Sequence, residues 1–110
     1  MMIRKDVLDK IGLMDERFYM YCEDVDLCYR IKNNGWKNFY LPEAKIVHYS
    51  GISTRRVKYR SIINHHKSMV VFYKKHFKRS LILDIFIVSG IISRAAICLI
   101  KATLFKSKAK

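Results

Sequence analysis

Apolar residues recur at helical spacing near the start of the chain. Ile3, Val7, Leu8 and Ile11 share one face, which predicts a short helix over 3–11, and Gly12 suits the position just past its end. Residues 13–22 are rich in aromatics but show no clean period, so they read as a loop. A second helix is expected from Glu23 to Asn33. Glu23, Asp24 and Asp26 lie in its first turn, where negative charge suits a helix N-terminus. Leu27 and Ile31 form its stripe, and Asn34-Gly35 ends it. Lys37 to Leu41 reads as a strand stopped by Pro42, Lys45 to Tyr49 as another, and 51–56 as a loop. From 59 to 79, Ile62, Ile63, Met69, Val70, Tyr73 and Phe77 recur at helical spacing, with most of the lysines elsewhere. His65, His66 and His76 are expected at exposed positions of that helix. Two apolar stretches follow, Leu81 to Ser93 and Ala95 to Phe105, and a basic tail that is expected to fray.

Leu81 to Phe105 is long enough to test as a membrane span. It contains Asp84, Arg94 and Lys101, and a cation at the centre of a bilayer costs about 2.5–3.5 kcal/mol. Arg94 and Lys101 are seven apart and share one helical stripe, while the rest of the circumference is apolar. That pattern favours a helix lying in the membrane interface with its cations toward phosphate headgroups.

Charge sharpens this picture. The 110-residue chain has a formal net charge of +13. Residues 1–50 hold eight bases and eight acids, whereas residues 51–110 hold fourteen bases and one acid, Asp84. The excess lies entirely in the second half and implies a polyanionic partner there, a membrane surface or a nucleic acid. The adjoining apolar stretch favours the anionic membrane over nucleic acid. Three cysteines, Cys22, Cys28 and Cys98, make neither a disulfide framework nor a close zinc pair, and read as small buried hydrophobes. No apolar leader follows the first methionine.

The densest polar cluster is Glu23-Asp24-Val25-Asp26. Three acids in four residues suit a helix start, a cation site or one carboxylate acting as a general base, and composition leaves these open. The glycine and later glutamate of a calcium loop are missing at the required spacing. Asp26 and Arg30, four apart, are positioned to pair on the helix.

The longer string Gly12-Leu13-Met14-Asp15-Glu16-Arg17-Phe18-Tyr19-Met20-Tyr21-Cys22-Glu23-Asp24-Val25-Asp26-Leu27-Cys28-Tyr29-Arg30 resembles the signature of family 2 glycosyltransferases, especially their rhamnosyltransferase-like branch. The resemblance continues through Gly35, Tyr40, Pro42, Ala44 and His48 to Gly51-Ile52-Ser53-Thr54, and on to Lys67-Ser68-Met69 and Phe72 to Phe77. It implies an α/β fold, the C-terminal part of a GT-A (nucleotide-diphospho-sugar transferase) domain followed by amphipathic and apolar helices. It also implies that Asp24 deprotonates the attacking hydroxyl, that Glu23 binds the acceptor sugar, and that Ser53, Thr54 and Arg55 approach the diphosphate. His48 would complete a divalent metal site, Mn²⁺ or Mg²⁺. The Asp24-Val25-Asp26 triplet is not the nucleotide-binding Asp-x-Asp of such enzymes, which belongs to a preceding α/β half that this sequence does not show.

The expected organisation is an acceptor-side part over 1–58, a basic amphipathic helix over 59–80 and an apolar, basic, membrane-associated tail over 81–110. The implied activity is hexosyl or deoxyhexosyl transfer from a nucleotide sugar to a glycan or lipid-linked acceptor in cell-envelope polysaccharide synthesis, at the cytoplasmic face of the membrane. The chain is expected to be inactive alone and to need a nucleotide-binding half, for instance one encoded separately. The alternatives are a non-catalytic basic membrane-associated module and, after it, a nucleic-acid-binding protein.

Overall fold

The computed structural model describes residues 1–47, 58–77 and 80–107, with side chains up to residue 104. Four helices follow in order: α1 (Lys5–Ile11), α2 (Glu23–Asn33), α3 (Lys58–His76) and α4 (Leu81–Ser107). The first pair packs together through Val7, Leu27 and Ile31, with Ile3, Leu8, Ile11 and Trp36 around them. These are the apolar positions that the 3.6-residue period brings to one face of each helix. Gly12 ends α1 at φ +81°, and its N–H donates to the Leu8 carbonyl. Gly35, past the end of α2, sits at φ +83°. Both occupy the left-handed region that glycine enters without a Cβ clash.

The α/β expectation is overturned, because no strand forms among the described residues. Lys37 to Leu41 forms no ladder with another segment among the described residues, and Phe39, Tyr40 and Leu41 are exposed. A strand exists only as a rung of a ladder, so extended sequence without a partner stays irregular. The same holds for 45–47, where Ile46 and Val47 are exposed. The rest of that expected strand, 48–49, lies outside the described residues.

The two apolar stretches after residue 80 form one continuous helix, α4, which packs along α3. Its inner side is mostly apolar, with Ala102 buried and Ile87, Val88, Ile91 and Leu99 half-buried, while Ser89, Ser93, Arg94 and Lys101 are exposed. Tyr73 of α3 donates to Asp84 Oδ1 at 2.6 Å, and Arg94 and Cys98 line a cavity shared with α3. Leu81, Ile82, Ile85, Phe86, Ile92, Ile97, Ile100 and Leu104 point out and are exposed. Apolar side chains therefore lie on both sides of α4, unlike the single apolar stripe of a helix at a water-facing surface. The 24 residues Leu81–Leu104 contain a stretch with a mean hydropathy of 2.1 and are long and apolar enough, by length and composition, to cross a membrane. The accessible surface totals 9625 Å². A compact protein of 13.1 kDa exposes about 6400 Å², so this chain leaves much apolar surface uncovered.

Candidate functional site: a strained turn before an acidic helix start

The loop entering α2 is backbone-strained. Tyr21 (φ +71°) and Cys22 (φ +64°) are both left-handed, which costs about 1–2 kcal/mol for each residue that carries a Cβ. Helix α3 holds this turn in place. Tyr21 Oη and Ser61 Oγ hydrogen-bond, the Tyr21 ring meets His65 edge-on with centroids 5.0 Å apart, and Ser68 Oγ donates to the Met20 carbonyl at 2.8 Å. Ser68 is buried, so its hydroxyl and that carbonyl satisfy each other away from water. Strain of this kind persists only where surrounding contacts over-determine it, and it marks positions where a side chain must be aimed.

The turn delivers the acids of α2 into different surroundings. Asp26 is fully buried. Its Oδ2 accepts from Arg30 Nε at 2.8 Å, and its Oδ1 lies 2.7 Å from both Lys75 Nζ and His76 Nε2. Burial is the largest influence on its pKa and pushes it up. The hydrogen bonds from Lys75, His76 and Arg30 together outweigh burial and hold the carboxyl below its ordinary value. Lys75 also reaches Asp15 Oδ2 at 2.7 Å. Hydrogen bonds from Arg17 and then Lys75 keep the Asp15 carboxyl well below the usual carboxylate range. Arg30 extends from Asp26 to cap α1, donating to the carbonyls of Ile11 (2.7 Å), Gly12 (3.3 Å) and Leu13 (2.7 Å). This network ties α1, α2, the 12–17 loop and α3 into one unit, and the Asp26–Arg30 pairing read from the sequence is part of it.

Asp24, by contrast, is exposed. Its Oδ1 accepts the Val25 N–H at 2.8 Å, which fixes the carboxylate at the helix start, and its other oxygen has no partner among the described residues. Glu23 is half-buried, and its Oε2 is sealed from solvent without a hydrogen bond. Burial, and then the nearby Asp24 and Glu23 charges, push the Cys22 thiol up, so it stays protonated and is no nucleophile at neutral pH. His48, Ser53, Thr54 and Arg55 lie outside the described residues. Among the described residues, no three His, Cys, Asp or Glu side chains gather into a metal site.

Three histidines expected at exposed positions are not exposed. His66 is buried. Its Nδ1–H donates to the Ile62 carbonyl at 2.8 Å, and its Nε2 is sealed without a partner. His76 is on Asp26. His65 lies near Arg94, and burial, followed by His66 and Arg94, pushes its pKa down. Lys75 and His76, which complete the Asp26 network, were missed from the sequence. The available signal was the i, i+4 spacing of Phe72 and His76, which puts the histidine in the apolar stripe of α3 rather than opposite it.

One cleft, about 560 Å³, lies at the α1–α2 end among Met2, Ile3, Cys28 and Trp36, and no carboxylate lines it. A second, about 290 Å³, lies between α3 and α4 at His65, His66 and Arg94. A third, also about 290 Å³, opens between the loop at Arg17 and Tyr19 and the face of α3 carrying Arg60, Asn64 and Lys67.

Comparison with known proteins agrees with the acidic motif. The chain is 38% identical over 72 residues to N-acetylglucosaminyl-diphospho-decaprenol L-rhamnosyltransferase of Mycobacterium tuberculosis. The alignment covers 66% of this chain and 24% of that protein. It is 34% identical over 50 residues to rhamnosyltransferase WbbL of Escherichia coli K12, covering 46% of this chain and 19% of the relative. This chain is related to glycosyltransferases. It spans about a quarter or less of the length of these relatives. No family model matches it, and no solved structure matches it.

Proposed function

We propose that this chain forms the acceptor-binding part of a glycosyltransferase that adds a hexosyl or deoxyhexosyl residue to a sugar–diphospho–lipid acceptor in cell-envelope synthesis. The observation that carries the reading is the division of labour between two aspartates two residues apart. Asp26 is locked into a buried ion network, while Asp24 is presented to solvent with one oxygen uncommitted. A general base needs that freedom together with a fixed direction. In the proposed step the free Asp24 oxygen takes the proton of the acceptor hydroxyl. The hydroxyl oxygen then bonds to the anomeric carbon of the donor sugar as the bond to the nucleoside diphosphate breaks. The solvent-sealed Glu23 Oε2 supplies an acceptor for a second sugar hydroxyl, which would relieve an atom left without a partner.

On this reading the nucleotide sugar is held by residues beyond this chain, which does not turn over alone. A divalent metal enters through His48 and a carboxylate from elsewhere, and no step is derived through it. The outward apolar face of α4 and the basic second half seat the protein on the cytoplasmic face of an anionic membrane, where a lipid-linked acceptor resides.

The test is a chimera in which this chain replaces the matching segment of the mycobacterial relative. The reading expects transfer to a GlcNAc-diphospho-lipid and none to the same diphospho-lipid without the sugar. A folded chimera that binds nucleotide sugar but never glycosylates the acceptor would contradict it.

A further inference from the structure

The cleft between the 15–20 loop and α3 has no role in the chemistry assigned to Asp24, and its lining is one-sided in charge. Arg17 comes from the loop, and Arg60 and Lys67 come from α3. No carboxylate lines it. Arg60, Asn64 and Lys67 are spaced i, i+4 and i+7, so one stripe of α3 presents two cations and an amide. Neither Arg60 nor Lys67 has an ion partner among the described residues, although Asp15 and Asp26 are close enough to occupy Arg17, Arg30, Lys75 and His76. Arg17 is aimed by Asp15, which accepts from its Nε (3.0 Å) and Nη2 (2.6 Å). A guanidinium has five N–H donors, so this pairing orients the group and still leaves three donors for another anion. The buried Ser68, bonded to the Met20 carbonyl, fixes the floor.

We propose that this cleft binds a diphosphate group, and specifically the diphosphate of the lipid-linked acceptor; the inference rests on the acceptor reading above. Arg60 and Lys67, unpaired among the described residues, supply two positive charges for a diphosphate, and the free donors of Arg17, whose charge Asp15 offsets, add fork contacts to its oxygens. Size favours the lipid-linked source. At about 290 Å³ the cleft is at the lower limit for small-molecule sites, which matches a diphosphate more closely than a whole nucleotide sugar. Position agrees. Tyr19 lines the cleft, and Asp24 is five residues further on, so a fully extended chain would separate them by at most about 18 Å. A sugar one diphosphate away from the lipid can then face Asp24 while its diphosphate sits on Arg17, Arg60 and Lys67. The exposed apolar face of α4, which packs on the same α3, gives the lipid a surface to follow.

The test measures binding to the chain itself, so it does not depend on turnover. Inorganic pyrophosphate, farnesyl diphosphate and uridine diphosphate are titrated at physiological salt by calorimetry into wild type, an Arg60→Ala/Lys67→Ala double variant and a Lys10→Ala/Lys32→Ala control of equal net charge. All four substituted side chains are exposed, and far-UV circular dichroism checks each fold. The expected result is at least a tenfold weaker pyrophosphate affinity in the cleft variant and no change in the control. Farnesyl diphosphate should bind at least as tightly as pyrophosphate, and uridine diphosphate no more tightly. Equal losses in both variants would reduce the effect to bulk charge, and absence of pyrophosphate binding would remove the site; either overturns the proposal. Preference for uridine diphosphate also overturns it, by giving the cleft to the donor. Cleft binding without Asp24-dependent transfer would refute the catalytic reading alone, and the reverse would refute this one alone.

Discussion

Asp26→Asn is the sharpest structural perturbation. The side chain is fully buried and makes three contacts at 2.7–2.8 Å, to the cations Arg30 and Lys75 and to the His76 ring. Hydrogen bonds to charged groups contribute about 1.5–3 kcal/mol each, but the simple sum overshoots. Lys75 would retain Asp15, and Arg30 would retain the carbonyls of Ile11 and Leu13. Removing one partner from a buried ion network costs about 3–5 kcal/mol, because charges stay buried without compensation. We expect about 3 kcal/mol, since asparagine keeps the shape and one acceptor. A protein of this size has about 5–15 kcal/mol in total, and the small apolar core here places it near the lower end. Urea unfolding followed by circular dichroism at 222 nm should therefore show a large fall in midpoint at unchanged slope. Asp6→Asn, which removes an exposed pair with Arg4, should leave the midpoint in place. A loss below about 1 kcal/mol for Asp26→Asn would refute the claim that this network holds α2 to α3.

The pH dependence follows from the same carboxylates. The folded pKa values of Asp15 and Asp26 lie below the ordinary 3.8, so their stabilisation is full above about pH 5 and fades as pH falls through 4 and below. Urea midpoints should be level at pH 7 to 8, ease below about 6.5 because folded His65 resists protonation, and drop further below pH 5, with a smaller low-pH drop in Asp26→Asn. Arg30→Lys keeps the charge but loses the fork that reaches three carbonyls, and should cost about 2 kcal/mol by the same unfolding assay. Ser68→Ala strands the Met20 carbonyl beneath the strained turn and should cost about 1–2 kcal/mol. Co-sedimentation should show the chain on vesicles containing anionic lipid, with binding reduced by salt but not abolished. A chain left in the supernatant would refute the role given to α4.

The helices were legible because each carries a local signal: Gly12 and Gly35 at the stops, acids at the start of α2 and apolar positions every three or four residues in α3. The strands were misread because a run such as Phe39-Tyr40-Leu41 before Pro42 says only that a segment could pair, while the ladder partner is non-local information. A single helix over Leu81 to Phe105 was among the readings the sequence allowed, and α4 is that helix, with Arg94 at the cleft it shares with α3. At the site, spacing pointed to the Asp26–Arg30 pair, and the family resemblance pointed to Asp24. It did not show Lys75 and His76, fifty residues away, or the turn that Tyr21 and Ser61 hold. Only packing of α3 on α2 separates a buried, structural aspartate from an exposed one two residues earlier.

The most direct measurement compares glycosyl transfer by the active chimera with its Asp24→Asn and Asp9→Asn variants, using a GlcNAc-diphospho-lipid acceptor. Loss of a general base lowers turnover by about 10²–10⁴-fold. The account predicts a fall of at least a hundredfold for Asp24→Asn, with acceptor affinity and thermal stability kept, and wild-type rates for the exposed Asp9→Asn. Turnover of Asp24→Asn within a few-fold of the unsubstituted chimera would contradict it.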